Sequence, residues 1–182
     1  MEELRLGIFV VPTFALTFVI LLYIHFAGKV RDKKNYRNYI IGVATVAFLL
    51  NFIWELAQGP LYKGFEYDVQ HISFCALASI ADMLMVLILL FGFGLIYRDV
   101  FWINYLSPTR ILILVMAGTV GAIIAEMWYT SRGDWGYAEM MPIITWVKVG
   151  LSPVLQFAVL PLLIFLTCKK CKRREHGNLK SG

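Results

Sequence analysis

Five long apolar segments constrain the fold of this 182-residue chain more than any other feature. A membrane-spanning helix needs about 20 mostly apolar residues, at a rise of about 1.5 Å per residue. The qualifying segments lie at about 7–26, 39–58, 73–97, 109–129 and 143–167. Only helices and closed barrels satisfy the backbone inside a bilayer, and segments of this length favour helices. The sequence therefore predicts an all-α integral membrane protein, a bundle of five transmembrane helices.

The composition and the short connections support one membrane domain. The chain is 59% hydrophobic and 15% aromatic, which is unusual for a soluble globular protein. We predict a single transmembrane domain over residues 1–168 and a basic cytoplasmic tail over 169–182. The expected location is a plasma or inner membrane.

The basic residues are distributed unevenly between the two sides of the predicted bundle. Four of the 17 lysines and arginines fall on one side: Arg5, Lys63, Arg132 and Lys148. The other thirteen are Lys29, Arg31, Lys33, Lys34, Arg37, Arg98, Arg110, Lys169, Lys170, Lys172, Arg173, Arg174 and Lys180. By the positive-inside rule the N-terminus is outside and the C-terminus is cytoplasmic. The net charge of +5 thus reflects topology rather than a nucleic-acid partner, and anionic lipid is the expected contact of the tail.

A polar stripe interrupts the second apolar segment. Asn51, Glu55 and Gln58, in the stretch NFIWELAQ, are spaced i, i+4 and i+7 and share one face of a helix. In the third segment His71, Cys75, Ser79 and Asp82 share a face. The fourth segment brings Thr119, Ala122 and Glu126 to one side, and the fifth brings Lys148, Ser152 and Gln156. Four helices are therefore predicted to present polar stripes in the outer half of the membrane.

Three acids within these segments are the candidate catalytic residues: Glu55, Asp82 and Glu126. An ionisable group inside a membrane costs about 2.5–3.5 kcal/mol or more, so it normally faces a partner or water and is a functional candidate. Lys148 and Arg132 are the expected cationic partners, and Arg132 is also expected to pair with Asp134 in a loop that caps the site. If the carboxyl groups converge, at least one should keep its proton and could act as a general acid.

The remaining candidates would bind substrate: Asn51, Trp54, Gln58, Trp128, Arg132, Lys148 and Gln156. Trp54 and Trp128 lie close to the acids, where their rings could line the same pocket. The alternative interpretation is structural, because polar side chains also join membrane helices and aromatic residues form interfacial belts. The sequence has no phosphate loop, HExxH motif or Ser-His-Asp signal, and neither a metal nor a cofactor is expected.

The quoted residues carry two resemblances. NFIWELAQGPLY, the Met141-Pro142 pair and GLSPVLQ resemble a group of uncharacterised bacterial multi-pass membrane proteins over most of the chain. Asn51, Trp54 and Glu55 resemble the N-x-x-W-E motif of integral membrane terpene cyclases. That resemblance implies that Glu55 is a catalytic acid working with a distant aspartate, for which Asp82 is a functional analogue. The cyclases are longer and have more spans.

Three functional hypotheses follow. The first is an intramembrane acid–base enzyme, terpene-cyclase-like or isomerase-like, that protonates, cyclises or isomerises an isoprenoid or other lipid in an outer-leaflet cavity. The second is a proton-coupled small transporter or channel subunit, in which the same acids relay protons. A homodimer would supply the symmetry that five spans lack. The third is an accessory protein that assembles with another membrane protein.

Overall fold

The computed structural model describes residues 10–178, and the side chains of residues 12–169. Over this range the chain forms five helices: α1 (Val10–Ala27), α2 (Lys33–Gln58), α3 (Val69–Tyr97), α4 (Pro108–Ser131) and α5 (Leu151–Asn178). Four helical stretches are long and apolar enough to cross a membrane, namely Lys33–Leu61, Val69–Tyr97, Pro108–Ser131 and Leu151–Lys169. The described apolar part of α1, Pro12–Ala27, is shorter than these four. Residues 7–9 of the first predicted segment, and Arg5, lie outside the described residues.

Side-chain caps explain why three helices begin before their apolar segments. The side chains of Asp32, Asp68 and Ser107 each accept a hydrogen bond from the backbone N–H three residues later. Such caps satisfy donors that a helix start leaves without partners. Helices α2 and α3 consequently begin at Lys33 and Val69, rather than at 39 and 73.

The prediction that the fifth helix begins at residue 143 is wrong. Residues 143–150 form a two-stranded antiparallel hairpin, β1 (Ile143–Ile144) and β2 (Val149–Gly150), and α5 begins only at Leu151. Lys148 has a φ of 55° in the tight connection between the strands, a conformation that no helix residue adopts. The helical pattern that placed Lys148 on one face with Ser152 and Gln156 therefore included residues that precede the helix.

Local packing explains where α5 starts. The Leu151 amide donates a hydrogen bond to the Pro142 carbonyl oxygen over 2.7 Å. A Cβ atom on Gly150 would lie 3.0 Å from a ring carbon of Tyr137, so the hairpin packs tightly under the loop before it. Pro153 falls in the first helical turn, where its missing N–H is not needed.

The most extensive helix contacts join α1 to α3, α3 to α2, α2 to α5, and α5 to α4. Helices α1 and α4 are therefore the two ends of this series. The largest fully buried side chains include Trp102, Tyr36, Phe91 and Phe165, and the Trp102 indole donates to the Leu90 carbonyl oxygen over 2.9 Å. This apolar core lies at the end of the bundle that carries the 98–107 connection.

The connections 59–68 and 132–150 meet at the other end of the bundle. The Lys63 amide donates to the Gly136 carbonyl oxygen, and the Ala138 amide donates to the Leu61 carbonyl oxygen, each over 2.9 Å. These bonds hold the loop after α4 against the loop after α2. They fix the aromatic residues of the second loop above the ends of α2 and α4.

Helices α4 and α5 approach each other closely at a glycine. Pro161 has no N–H with which to bond the carbonyl of Phe157, four residues earlier in α5. A Cβ atom on Gly118 would lie 2.1 Å from that Phe157 oxygen. Only glycine therefore allows α4 to pack this tightly against α5 near Pro161.

Candidate functional site

Four polar side chains from three helices form a closed hydrogen-bonded ring, which we call the carboxyl–amide ring: Glu55 and Gln58 from α2, Asp82 from α3 and Gln156 from α5. The Gln58 amide donates to Glu55 Oε1 over 2.7 Å and to Gln156 Oε1 over 3.0 Å. The Gln156 amide donates to Asp82 Oδ2 over 2.8 Å. The carboxyl groups of Glu55 and Asp82 lie within hydrogen-bonding reach of each other and close the ring.

Neighbouring residues hold the two glutamines in position. Gln58 Oε1 accepts hydrogen bonds from the Trp54 indole over 3.1 Å and from the Ser152 hydroxyl over 2.8 Å. The Gln156 amide also donates to Asn51 Oδ1 over 2.9 Å, while the Asn51 amide donates to the Ala47 carbonyl oxygen. Asn51 and Gln156 are each only 1% exposed. Asn51 and Gln58 of the polar stripe on α2 thus support the carboxyl pair, to which the third residue of the stripe, Glu55, belongs.

The contact between Glu55 and Asp82 requires a proton. An ionised carboxylate has only acceptor atoms, so two of them cannot hydrogen-bond to each other unless one carries a proton. Each carboxyl group receives one amide N–H from a glutamine, which favours its charged form, but two adjacent buried charges would repel each other, and a single shared proton removes that repulsion. The ring therefore presents one acid and one base side by side.

Glu126 of α4 is held separately by the loop that follows its helix. The Tyr137 hydroxyl and the Trp135 indole both donate to Glu126 Oε2, the indole over 3.3 Å. Burial raises the pKa of the Tyr137 hydroxyl above its ordinary value, and the bond to Glu126 adds to this effect. Tyr137 therefore stays protonated and remains a donor to Glu126.

A cavity of about 180 Å³ lies between α1, α3, α4 and α5. Asp82 and Glu126 are the two carboxylic acids in its lining; the other lining residues are Pro12, Ala15, Ala81, Met85, Leu89, Ala117, Gly118, Gly121, Ala122, Ala125, Tyr129, Trp135, Pro153 and Phe157. The wall along α4 runs from Tyr129 to Ala117, twelve residues or about 18 Å. The cavity is thus an apolar slot with its two acids toward one end.

The three predicted acids lie close together, but only two of them face the cavity. Asp82 and Glu126 line the cavity, whereas Glu55 is reached through Asp82. Asn51, Trp54, Gln58 and Gln156, predicted to bind substrate, lie in the ring or directly behind it.

Three predicted site residues lie away from the cavity. Trp128 is 54% exposed, and the guanidinium carbon of Arg132 lies 5.6 Å from the centre of its ring. Arg132 forms the expected ion pair with Asp134, over 3.2 Å. Lys148 is exposed in the hairpin connection. The expectation that Arg132 or Lys148 would reach a site carboxylate is wrong, because the hairpin and the loop pair direct both cations elsewhere.

The site has no cationic partner of its own among the described side chains. Within residues 12–169 the ion pairs are His71 with Asp68 and Arg132 with Asp134, and neither includes a site acid. In the same part of the chain, no group of three or more histidine, cysteine or acidic residues could hold a metal ion. Neutral donors rather than cations therefore contact the acids of the site, namely the amides of Gln58 and Gln156, the Tyr137 hydroxyl and the Trp135 indole.

Several residues of the site were not among the predicted candidates. Trp135 and Tyr137 bind Glu126, and Tyr129 and Trp135 stack with ring centres 4.5 Å apart on the cavity wall. Their clustering near the acids in the sequence was a signal, although an interfacial belt explained it equally well. Ser152 was predicted on the polar face of α5 but not as a site residue, and its hydroxyl helps to hold Gln58 in position.

Comparison of the chain with protein-family models, with curated proteins and with solved structures found no match. The resemblance of Asn51, Trp54 and Glu55 to the terpene-cyclase motif therefore has no support from a family match. The function has to be inferred from the geometry of the side chains.

Proposed function

We propose that this chain is an intramembrane acid–base enzyme that acts on an isoprenoid or another lipid. The observation that carries the proposal is the carboxyl pair of Glu55 and Asp82, held by two amides, with Asp82 facing an apolar cavity. A shared proton next to an apolar space is what protonation of an alkene, or migration of a double bond, requires.

The cavity favours an apolar substrate of limited reacting size. At about 180 Å³ it is slightly larger than an apolar cavity of about 150 Å³ that admits benzene. One five- or six-carbon group of a longer lipid would fill it. Because α1 and α4 are the two ends of the packing series and both contribute to the wall, we propose that the lipid enters laterally between them.

Each polar group has a distinct role in this proposal. Asp82 gives the shared proton to the substrate, and the proton that the substrate releases in the last step returns to the pair, where Glu55 and Asp82 share it again. Gln58 and Gln156 are positioning residues that keep the two carboxyl groups together. Glu126, at the same end of the cavity, accepts a proton from the substrate or stabilises a positive charge that develops on it.

The finer topology also belongs to the proposal. We propose that α1 is a fifth span, with the N-terminus outside and the C-terminus in the cytoplasm, as the thirteen-to-four distribution of basic residues predicts. A cysteine introduced at Gly133 should then react with an impermeant thiol reagent added outside intact cells, and one at Lys34 should not. The reverse pattern would place the carboxyl–amide ring in the inner half of the membrane.

Proton-coupled transport is the second candidate, because the ring connects three helices through groups that can exchange a proton. Two measurements separate the two functions. Mass spectrometry compares lipid extracts from cells with and without the protein, and a second assay measures proton flux in reconstituted vesicles. The enzyme changes specific lipids without proton flux. A transporter carries protons and leaves the lipid profile unchanged.

Amide variants test the role of the carboxyl pair. Glu55→Gln and Asp82→Asn keep the size of each side chain and remove its titrating proton, so both should abolish the lipid change. Glu66→Gln, in an exposed loop, and Asp32→Asn, whose amide oxygen still caps α2, are matched controls that should retain it. Retention of the lipid change in both ring variants would contradict acid–base chemistry at this pair.

A further inference from the structure

A second crevice, of about 340 Å³, lies at the end of α2 that is opposite the carboxyl–amide ring. Its lining residues come from the last turns of α1 and the first turns of α2: Tyr23, Ala27, Lys33, Lys34, Tyr36 and Arg37. Half of the lining residues are basic and none is acidic. The crevice thus has the charge of an anion-binding site and is separate from the apolar cavity.

The basic residues of the crevice form no ion pair in the part of the chain that the structure describes. None of the described ion pairs includes Lys33, Lys34 or Arg37. The nearby Asp32 carboxylate accepts a hydrogen bond from the Asn35 amide over 2.9 Å. The carboxylate of Asp32, which caps α2, already places a negative charge at the helix start, so the basic side chains are the groups that would stabilise a bound anion.

The aromatic wall of the crevice is fixed. The Tyr36 hydroxyl donates to the Tyr23 carbonyl oxygen over 3.0 Å, and the two rings stack with centres 5.1 Å apart. Tyr36 is buried, so this contact joins α1 to α2 firmly. The two rings therefore form one wall of the crevice, and the side chains of Lys33, Lys34 and Arg37 line the rest of it with Ala27.

We propose that this crevice binds the phosphate group of an anionic phospholipid. The side chains of Ile24 on α1 and Ile41 on α2 are 60% and 56% exposed. Ile41 lies one helical turn beyond Arg37 on the same face, so an apolar surface continues from the crevice along the bundle. A phosphate in the crevice would leave the acyl chains against this surface, which favours a lipid over free phosphate. The inference does not depend on the proposed enzymatic function.

Titration of the purified full-length protein in detergent tests the site. The probes are dioctanoyl phosphatidylglycerol, dioctanoyl phosphatidylcholine and inorganic phosphate, with bound lipid measured by native mass spectrometry and by intrinsic fluorescence. The parent protein should bind phosphatidylglycerol saturably and more tightly than phosphatidylcholine. The double variant Lys33→Gln, Arg37→Gln should bind phosphatidylglycerol about thirtyfold more weakly, the effect of two basic residues at a membrane surface.

A charge-matched control distinguishes a site from general attraction. The double variant Lys29→Gln, Arg31→Gln also removes one lysine and one arginine from the same end of the bundle, but neither residue lines the crevice. It should bind phosphatidylglycerol within about threefold of the parent. An equal loss in the two double variants would overturn the site. Binding of inorganic phosphate as tight as that of phosphatidylglycerol would overturn the assignment to a lipid.

Discussion

Replacement of Gln156 by leucine should break more hydrogen bonds between helices than any other single change to the carboxyl–amide ring. Gln156 makes three hydrogen bonds to side chains of two other helices: it donates to Asn51 and Asp82 and accepts from Gln58. It is also 1% exposed, so no lipid headgroup or bulk water can replace these bonds. Leucine preserves most of the volume and removes all three.

The magnitude follows from these three bonds. Side-chain hydrogen bonds between membrane helices average about 0.6 kcal/mol each, which gives about 2 kcal/mol. Leaving each partner without its bond costs about 1 kcal/mol at the low end of the range, which gives about 3 kcal/mol. We therefore expect Gln156→Leu to lower the free energy of unfolding by about 2–3 kcal/mol.

Reversible unfolding in mixed micelles with increasing SDS, followed by circular dichroism, measures this change. Gln70→Leu is the matched control, because Gln70 is exposed near the start of α3, and it should change stability by less than about 0.5 kcal/mol. The double variant with Gln58→Leu should lose less than the sum of the two single losses, by about 1 kcal/mol, because both break the same ring. Strict additivity, or a Gln156→Leu loss no larger than the control, would refute the ring.

Three further variants probe how the site is built. Gly118→Ala should lower the free energy of unfolding by about 1–3 kcal/mol in the same SDS titration, because its Cβ would meet the backbone oxygen of Phe157 at 2.1 Å. Tyr137→Phe should lower it by about 1.5–3 kcal/mol, because it removes a donor from the Glu126 carboxylate. Asp68 caps α3 through a carboxylate that can be protonated, whereas asparagine cannot titrate. Asp68→Asn should therefore remove the pH dependence that this cap gives to hydrogen exchange in the first turn of α3.

The pKa of Asp68 determines how its cap of α3 should depend on pH. Hydrogen bonds from the backbone and side chain of His71 hold this pKa below its ordinary value. A lowered pKa means that the contribution of the charged cap is present above the ordinary carboxyl pKa and is lost as the pH falls through the lowered value. In the parent protein, exchange protection relative to the asparagine variant should therefore fall in acid. A parallel pH dependence in both proteins would contradict this role.

The other two variants have matched controls within the chain. A Cβ atom on Gly121, one turn from Gly118, would meet nothing within 4 Å, so Gly121→Ala should be neutral or stabilising. Tyr67 is 66% exposed and donates to a backbone carbonyl, so Tyr67→Phe should have little effect. Losses in the controls as large as those in the test variants would show that these positions respond only to general changes in size or polarity.

Helical periodicity was sufficient to predict the polar face of α2 and its counterparts in α3 and α5. Asn51, Glu55 and Gln58 had to share a face, because the period of the helix fixes which side chains align. That face, together with Asp82 and Gln156, forms the ring and its support. The pairing of Gln58 with Gln156, 98 residues away, depends on which helices pack together, and no local pattern specifies that order.

Periodicity failed where helices end and loops begin. Lys148 was placed on the face of Gln156 because the apolar pattern continues through residues 143–150, but these residues form a hairpin and Lys148 lies in its connection. Trp135 and Tyr137 reach Glu126 because the loop is hydrogen-bonded to the loop after α2. Contacts of this kind depend on tertiary backbone geometry, which a one-dimensional pattern does not contain.

The most direct test of the shared proton between Glu55 and Asp82 is infrared spectroscopy of the purified protein at neutral pH, with carbon-13 in the side-chain carboxyl groups of its aspartates or glutamates. The account predicts a carbonyl stretching band of a protonated carboxylic acid that shifts with the label. That band should be lost in both Glu55→Gln and Asp82→Asn, because either change ends the sharing of the proton. The absence of any protonated carboxyl band in the parent protein, or its persistence in both variants, would contradict the shared proton.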